Sequence, residues 1–155
     1  AWKGACDGRG IAILAPILPE SRNWDTDDME YLSKLIEFHR RRYDLGRERV
    51  VVMGGKGTGG FPLFVGVRFL ENVGGVVLSD SQFDLKLGEV EPESVLKICV
   101  LGGETVEGGE AAGILGRFDE VKIPHVLIPM VAEANSPEGK TLEQLIDWVD
   151  STDRL

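Results

Sequence analysis

The stretch VVVMGGKGTGGFPLFVGVRFLENVGGVVLSD, residues 50–80, decides the fold. It opens with a β-branched run at 50–53, passes through a glycine-rich turn, and continues into an apolar segment that begins Phe61-Pro62. Proline fits the first turn of a helix because its missing N–H needs no partner there. A second apolar run follows at 76–78. The order strand, turn, helix, strand is a βαβ unit and predicts parallel strands.

The same alternation of short apolar runs and longer helical segments extends over the rest of the chain. Apolar runs without polar alternation are typical of strands buried on both faces, as in a parallel sheet. Such runs occur at 11–15, 50–53, 76–78, 95–101 and 125–128. Helical patterns accompany them at 25–43, 59–72, 109–119 and 139–151. The sequence therefore predicts one three-layer α/β/α domain over residues 1–155, with about five parallel strands.

The segment 25–43 carries the clearest helical pattern. Asp25 is expected to cap its start, and Asp27 and Asp28 add negative charge at the positive end of the helix dipole. These carboxylates also suit a hard cation, but capping is the preferred interpretation and no metal is expected. The triplet Arg40–Arg42 is interpreted as a solvated helix end that offsets the dipole. A core-facing stripe is predicted from residues at helical spacing, namely Met29, Leu32, Ile36, His39 and Tyr43.

Charge and cysteine content narrow the range of partners. The chain has 17 basic and 26 acidic residues and a net charge of −9, so it repels phosphate backbones and anionic lipid. We therefore expect no nucleic-acid and no membrane partner. Its two cysteines and two histidines show no zinc-ligand spacing. Cys99 lies inside an apolar run and is expected to be a buried free thiol.

The glycine turn admits a dinucleotide-binding interpretation. Gly55, Gly57 and Gly60 satisfy the spacing G-x-G-x-x-G, and Asp80 follows about 20 residues later, where a ribose-binding acid is expected. The chain would then be a Rossmann-like oxidoreductase domain. The crowded helix start at Phe61-Pro62 counts against this alternative, because proline lacks an N–H where the phosphate would lie.

The same turn also fits the frame of a nucleophile elbow, G-x-S-x-G, in which a strand turns sharply into a helix. Gly55-Lys56-Gly57-Thr58-Gly59 has this frame, with Gly57 in the serine position. Here the sequence resembles the α/β-hydrolases, especially their esterase and polyhydroxybutyrate-depolymerase-like branch. The runs at 10–16 and 76–79 and the pair Gly59-Gly60 extend the resemblance, which covers residues 10–80 most specifically.

The resemblance implies a degenerate active site. Members of this superfamily carry a nucleophile, an acid and a histidine in that order along the chain. Gly57 has no side chain, Thr58 stands one position further on, and Glu104 is at most a remnant of the acid. No histidine occurs at 132–135, where one is expected. We therefore expect a non-catalytic domain with a structural or partner-binding role and no cofactor, or alternatively a hydrolase completed by residues outside this segment.

The resemblance further implies that only the C-terminal part of the hydrolase fold is represented here. Three leading strands of the usual sheet are missing, and one of them lies between the runs at 11–15 and 50–53. We expect the chain to be a piece of a longer protein whose other domains are its partners. Homo-oligomerisation is compatible with this composition.

Overall fold

Four parallel strands form the sheet of this protein, in the order β1-β2-β3-β4. The computed structural model describes residues 2–17, 24–55, 58, 60–79, 96–102, 110–130 and 136–153. Its strands are β1 (Val51–Met53), β2 (Gly75–Leu78), β3 (Lys97–Gly102) and β4 (His125–Pro129). Its α-helices are α1 (Trp2–Cys6), α2 (Met29–Tyr43), α3 (Phe61–Arg68), α4 (Glu110–Glu120) and α5 (Gly139–Ser151). Short 3-10 helices occupy Thr26–Asp28 and Arg47–Arg49.

Helices cover both faces of the sheet because successive strand side chains point to opposite sides. On one face, Val76 and Ile98 pack in a cluster with Leu63 of α3 and Phe118 of α4, and Ile36 of α2 lies against the same cluster. We call this the α2 face. The opposite face, which we call the α5 face, is covered by α5 together with α1. The cluster on the α5 face joins Val77, Cys99 and Leu101 to Leu145, Trp148 and Trp2.

The structure confirms the predicted α/β fold and most of the predicted elements. The runs at 50–53, 76–78, 95–101 and 125–128 correspond to β1–β4, and the predicted helix at 139–151 matches α5 at both ends. The helix predicted at 59–72 is shorter, because α3 ends at Arg68. Phe69 leaves helical geometry with φ −117° and ψ 41°, and a turn then leads into β2.

The segment at 11–15 is not a strand, and this prediction was wrong. A strand needs a neighbour for its backbone N–H and C=O groups. In the described part of the chain, β1 pairs only with β2, and nothing pairs with residues 11–17. Ile11 packs against the cluster of Cys6 with α5, whereas Ile13 and Leu14 are 55% and 51% exposed.

The predicted stripe of α2 is buried only in part. Leu32 is buried and Ile36 packs against the core, but Tyr43 is exposed. Arg41 and Arg42 are exposed, as predicted for a solvated helix end, but Arg40 differs. Arg40 donates from Nη1 to the carbonyl of Glu71 at 2.9 Å and to the Asn72 side chain, and from Nε to the carbonyl of Leu45 at 3.2 Å. It therefore ties α2 to the loop before β2.

Both cysteines are free and buried, as predicted for Cys99. Cys99 lies in the middle of β3 and has no exposed surface. Burial disfavours the thiolate and raises the pKa of Cys99 to about 12. Burial also raises the pKa of the Cys6 thiol. Neither environment favours a reactive thiolate.

Candidate functional site

A strand-to-helix turn at the carboxyl end of β1 carries the candidate site. β1 ends at Met53, and Gly54 and Gly55 follow it before α3 begins at Phe61. The backbone N–H of Gly54 still donates to the carbonyl of Val77 in β2, at 3.2 Å. In open α/β sheets, ligand and catalytic groups concentrate at this edge of the sheet.

Close packing explains why this turn begins with glycine. A Cβ atom built on Gly54 overlaps the hydroxyl of Thr58 and the ring of Pro62. Pro62 is buried in the first turn of α3, so its rigid ring has little freedom to move away. At Gly55, by contrast, no atom lies within 4 Å of such a Cβ. The absence of a side chain at Gly54 therefore allows the end of β1 and the first turn of α3 to pack closely together.

Thr58 directly follows the elbow position along the chain, and its hydroxyl is described. Its Oγ1 donates to the carbonyl of Gly55 at 2.7 Å, and its backbone N–H donates to the same carbonyl at 3.1 Å. The Thr58 carbonyl in turn accepts from the N–H of Phe61 at 3.2 Å. Thr58 thus stabilises the turn, and in this arrangement its hydroxyl proton is donated to a backbone carbonyl.

Neither histidine contacts the described residues of the turn. His125 is the first residue of β4, so it lies at the amino end of the strand that is furthest from β1 in the sheet. Its Nδ1 donates to the Ile123 carbonyl at 3.0 Å, and its Nε2 faces Asp119 at 3.7 Å. His39 lies on α2 and its Nδ1 donates to the carbonyl of Leu35 at 2.9 Å.

The position of His39 follows from the direction of α2. Tyr31, near the start of α2, is linked to the start of α3 through Trp24. The Trp24 ring stacks on the rings of Tyr31 and Phe61, with centroids 6.4 Å apart in both pairs. His39 comes eight residues after Tyr31, which is about 12 Å along a helix. His39 therefore lies well below the carboxyl edge, where its ring packs against Tyr43 at 6.1 Å.

The acidic cluster before α2 is a helix cap. The side chain of Asp25 accepts from the N–H of Asp27 at 2.9 Å, and that of Asp28 accepts from the N–H of Asp25 at 3.1 Å. This reciprocal pair is a capping box at the start of the 3-10 helix Thr26–Asp28, which leads into α2; the sequence predicted the capping role of Asp25. Among the described residues, no group of three or more His, Cys, Asp or Glu side chains is placed to hold a metal ion.

Several predicted site residues lie outside the described residues. These are the elbow position Gly57, its neighbours Lys56 and Gly59, the candidate ribose-binding Asp80, and Glu104. Gly55 and Gly60 are described. Gly60 precedes α3 with φ −80° and ψ 1°, and its carbonyl accepts from the N–H of Phe64 at 3.0 Å.

One contact at the site was not predicted. The hydroxyl of Ser79, directly after β2, donates to the carbonyl of Gly54. It joins the carboxyl ends of β1 and β2 and fixes the start of the turn. A serine directly after a strand was visible in the sequence, but nothing local identifies its partner 25 residues away.

The parallel sheet with helices on both faces, and the glycine-rich segment that joins β1 to α3, agree with an α/β-hydrolase-like fold. This is the fold that the sequence predicted from its elbow frame. The two solved structures described next favour it over the dinucleotide-binding alternative.

The chain is similar in structure to SOBER1 from Arabidopsis thaliana, with a TM-score of 0.60 and 16% identity over 81% of this chain. It is also similar to the carboxylesterase of Bacillus cereus, with a TM-score of 0.54 and 12% identity over 83% of this chain. The chain spans 64% of the length of each. No family model and no curated protein sequence matches it.

No helix in the described part of the chain combines the length and apolar character needed to cross a membrane.

Proposed function

We propose that this chain is a non-catalytic α/β-hydrolase-like domain with a structural or partner-binding role. The observation that carries the proposal is a glycine, Gly57, in the nucleophile position of the G-x-S-x-G frame that joins β1 to α3. Acyl transfer by this fold needs a side-chain nucleophile and a base that accepts its proton. Gly57 supplies neither group.

The surroundings of the turn support the same proposal. The hydroxyl of Thr58, which directly follows the elbow position, donates to a backbone carbonyl. Each histidine donates a hydrogen bond from Nδ1 to a backbone carbonyl. His39 does so on α2, and His125 does so at the amino end of β4. A hydrolase completed by residues from outside the segment remains the alternative, with the elbow position still lacking a nucleophile. We further propose other domains of a longer parent chain as partners.

A fluorophosphonate probe tests the proposal directly, because it labels activated serines. We expect the purified chain to remain unlabelled while an active serine esterase in the same reaction is labelled to completion. Short p-nitrophenyl esters should be hydrolysed no faster than with a heat-killed sample. Stoichiometric labelling of any serine in the chain would show that the proposal is wrong.

The substitution Gly57→Ser restores the nucleophile alone. The variant should fold at a cost of about 1–2 kcal/mol, the range for strained backbone at such turns. It should stay unlabelled, because a serine without a base is a poor nucleophile. Labelling or esterase activity in the variant would mean that a base already stands beside the turn, and the site would then be intact except for one residue.

A further inference from the structure

The end of α2 and the 3-10 helix that follows it carry a local excess of positive charge. Residues 40–49 contain five arginines and only two acidic residues, whereas the chain as a whole has a net charge of −9. Basic residues at a helix end offset the helix dipole, but this effect falls off within the last turn. Arg47 and Arg49 lie beyond the end of α2 at Tyr43, so the dipole does not account for them.

Two of these arginines converge on the loop that joins α3 to β2. Arg40 donates to the carbonyl of Glu71 at 2.9 Å, and Arg47 donates to the carbonyl of the preceding residue, Leu70, at 3.3 Å. The two guanidinium groups therefore lie close together, near the starts of β1 and β2. The other three arginines are within two residues of Arg40 or Arg47 along the chain. We call the five residues the arginine surface: Arg40, Arg41, Arg42, Arg47 and Arg49.

Arg41 and Arg42 are available to a partner. The Arg41 side chain is 80% exposed, and its ion pair with Glu37 is exposed as well. Exposed ion pairs contribute little to stability, so a carboxylate of a partner can replace that of Glu37 at little cost. The Arg42 guanidinium lies 5.9 Å from the centroid of the Tyr43 ring, and it forms no ion pair with a described carboxylate. The ring orients this guanidinium without neutralising its charge.

The residue types indicate which group this surface binds. All the basic residues between positions 40 and 49 are arginines, and none is a lysine. A guanidinium is planar and presents paired N–H groups that match the two oxygens of a carboxylate or of a phosphate, whereas an ammonium acts as a point charge. Tyr43, which is 56% exposed, lies among these arginines. Arginine and tyrosine are enriched among the residues that contribute most to binding at protein interfaces.

The charge of the rest of the chain favours carboxylates over phosphates as the bound groups. A nucleic acid would extend past the arginine surface and over an otherwise acidic molecule, which repels its phosphate backbone. A short segment with a few aspartates or glutamates contacts the arginine surface alone. The partner that fits is therefore a protein with an acidic segment.

From these observations we propose that the arginine surface docks a partner domain through a short acidic segment of that partner, with Arg41 and Arg42 binding its carboxylates. Arg40 and Arg47 hold the surface in place through their hydrogen bonds to the loop before β2. The inference rests on the proposed partner-binding role and deepens it by stating the chemistry of the partner. It uses no residue of the glycine turn, so its test is separate from the esterase assays.

Fluorescence anisotropy with a labelled oligoglutamate peptide gives the first test. At about 0.1 M salt, exposed charges more than about 10 Å apart are largely screened, so binding reports local contacts. We expect saturable binding with a dissociation constant below about 1 mM, which weakens as the salt concentration is raised. An oligolysine peptide of the same length should not compete for the arginine surface.

Arg41→Glu and Lys34→Glu are a matched pair of variants on α2. Each reverses the charge of an exposed cation that pairs with a glutamate four residues earlier, but Lys34 lies about 10 Å nearer the start of the helix. Arg41→Glu should weaken peptide binding at least about tenfold, and Lys34→Glu less than about twofold. Both side chains are exposed, so both variants should give the circular dichroism spectrum of the native chain.

The double variant Arg41→Lys, Arg42→Lys separates carboxylate recognition from attraction by charge alone. It keeps both positive charges and removes the paired donors of the guanidinium groups. Peptide binding should weaken by at least about threefold, because the lysines cannot form the bidentate hydrogen bonds. Unchanged affinity in this variant would overturn the assignment of the two arginines to carboxylate binding.

Absence of peptide binding, or equal losses in Arg41→Glu and Lys34→Glu, would overturn the inference and leave the non-catalytic proposal standing. Tighter binding of an oligothymidylate with the same number of charges would also overturn it, because the partner would then be a nucleic acid. A serine labelled by the fluorophosphonate probe, in a chain that still binds the peptide, would instead overturn the non-catalytic role alone.

Discussion

Substituting Gly54 with alanine tests whether the glycine turn is built by packing. The new methyl group overlaps the ring of buried Pro62 and the hydroxyl of Thr58. Thr58 has a rotatable side chain, but the proline ring is rigid, so the clash with Pro62 decides the cost. Overpacking of this kind costs about 1–3 kcal/mol. Gly54 has no positive φ, so alanine gains about 0.4–1 kcal/mol from the less flexible unfolded chain.

The expected net destabilisation by Gly54→Ala is therefore about 1.3 kcal/mol. For a chain of this size it lowers the melting temperature by about 3–5 °C. Gly55→Ala is the matched control, because its methyl group meets no atom within 4 Å and its φ is not positive. We expect Gly55→Ala to be neutral or slightly stabilising.

Thermal unfolding followed by circular dichroism measures both variants, with urea unfolding as an independent measure of free energy. Adding Pro62→Ala to Gly54→Ala should recover part of the loss, since the double variant removes the clashing ring. Equal melting temperatures for the Gly54 and Gly55 variants would refute the reasoning. So would strict additivity of the Gly54 and Pro62 substitutions, because residues in contact are expected to couple.

Two further predictions concern residues away from the turn. The folded pKa of Cys99, about 12, lies above the unfolded value near 9, so its contribution to stability is complete below pH 9 and is lost as the pH rises toward 12. Urea unfolding should show a decline between pH 8 and 10.5 that is smaller, by on the order of 2 kcal/mol, in Cys99→Ala; identical slopes would contradict the prediction. Arg40→Ala should cost about 1–3 kcal/mol because it removes the hydrogen bonds of the guanidinium to the carbonyls of Glu71 and Leu45. Arg41→Ala should cost less than about 0.5 kcal/mol because its ion pair with Glu37 is exposed; equal losses of melting temperature would contradict the distinction.

The sequence was sufficient to predict the sheet wherever the signal was local. The runs that became β2 and β3 are apolar except for Lys97 at the start of β3, as burial on both faces requires. α5 was predicted at both ends because the apolar spacing of Leu142, Leu145, Ile146 and Val149 is regular. The turn after β1 was also predictable, since clustered glycines directly after a β-branched run leave few other structures.

Long-range pairing was not predictable from the sequence. Residues 11–15 have the composition of a strand, but strand formation depends on a neighbour, and local composition carries no information about whether one is present. Arg40 and Arg41 are adjacent and identical in type, yet only Arg40 reaches the loop 31 residues further on. The link from Ser79 to Gly54 depends in the same way on the register of β1 and β2.

The glycine turn separates the requirements of folding from those of catalysis. Gly54 meets a packing requirement, because any side chain there collides with the first turn of α3. The elbow position meets a chemical one, since a serine there is held in strained backbone and is useful only beside a base. In the non-catalytic domain that we propose, such strain would bring no benefit, and a glycine at position 57 would avoid it. On that proposal the turn persists as a structural element without its chemistry, so Gly54→Ala should lower stability through packing, and Gly57→Ser should lower stability without restoring activity.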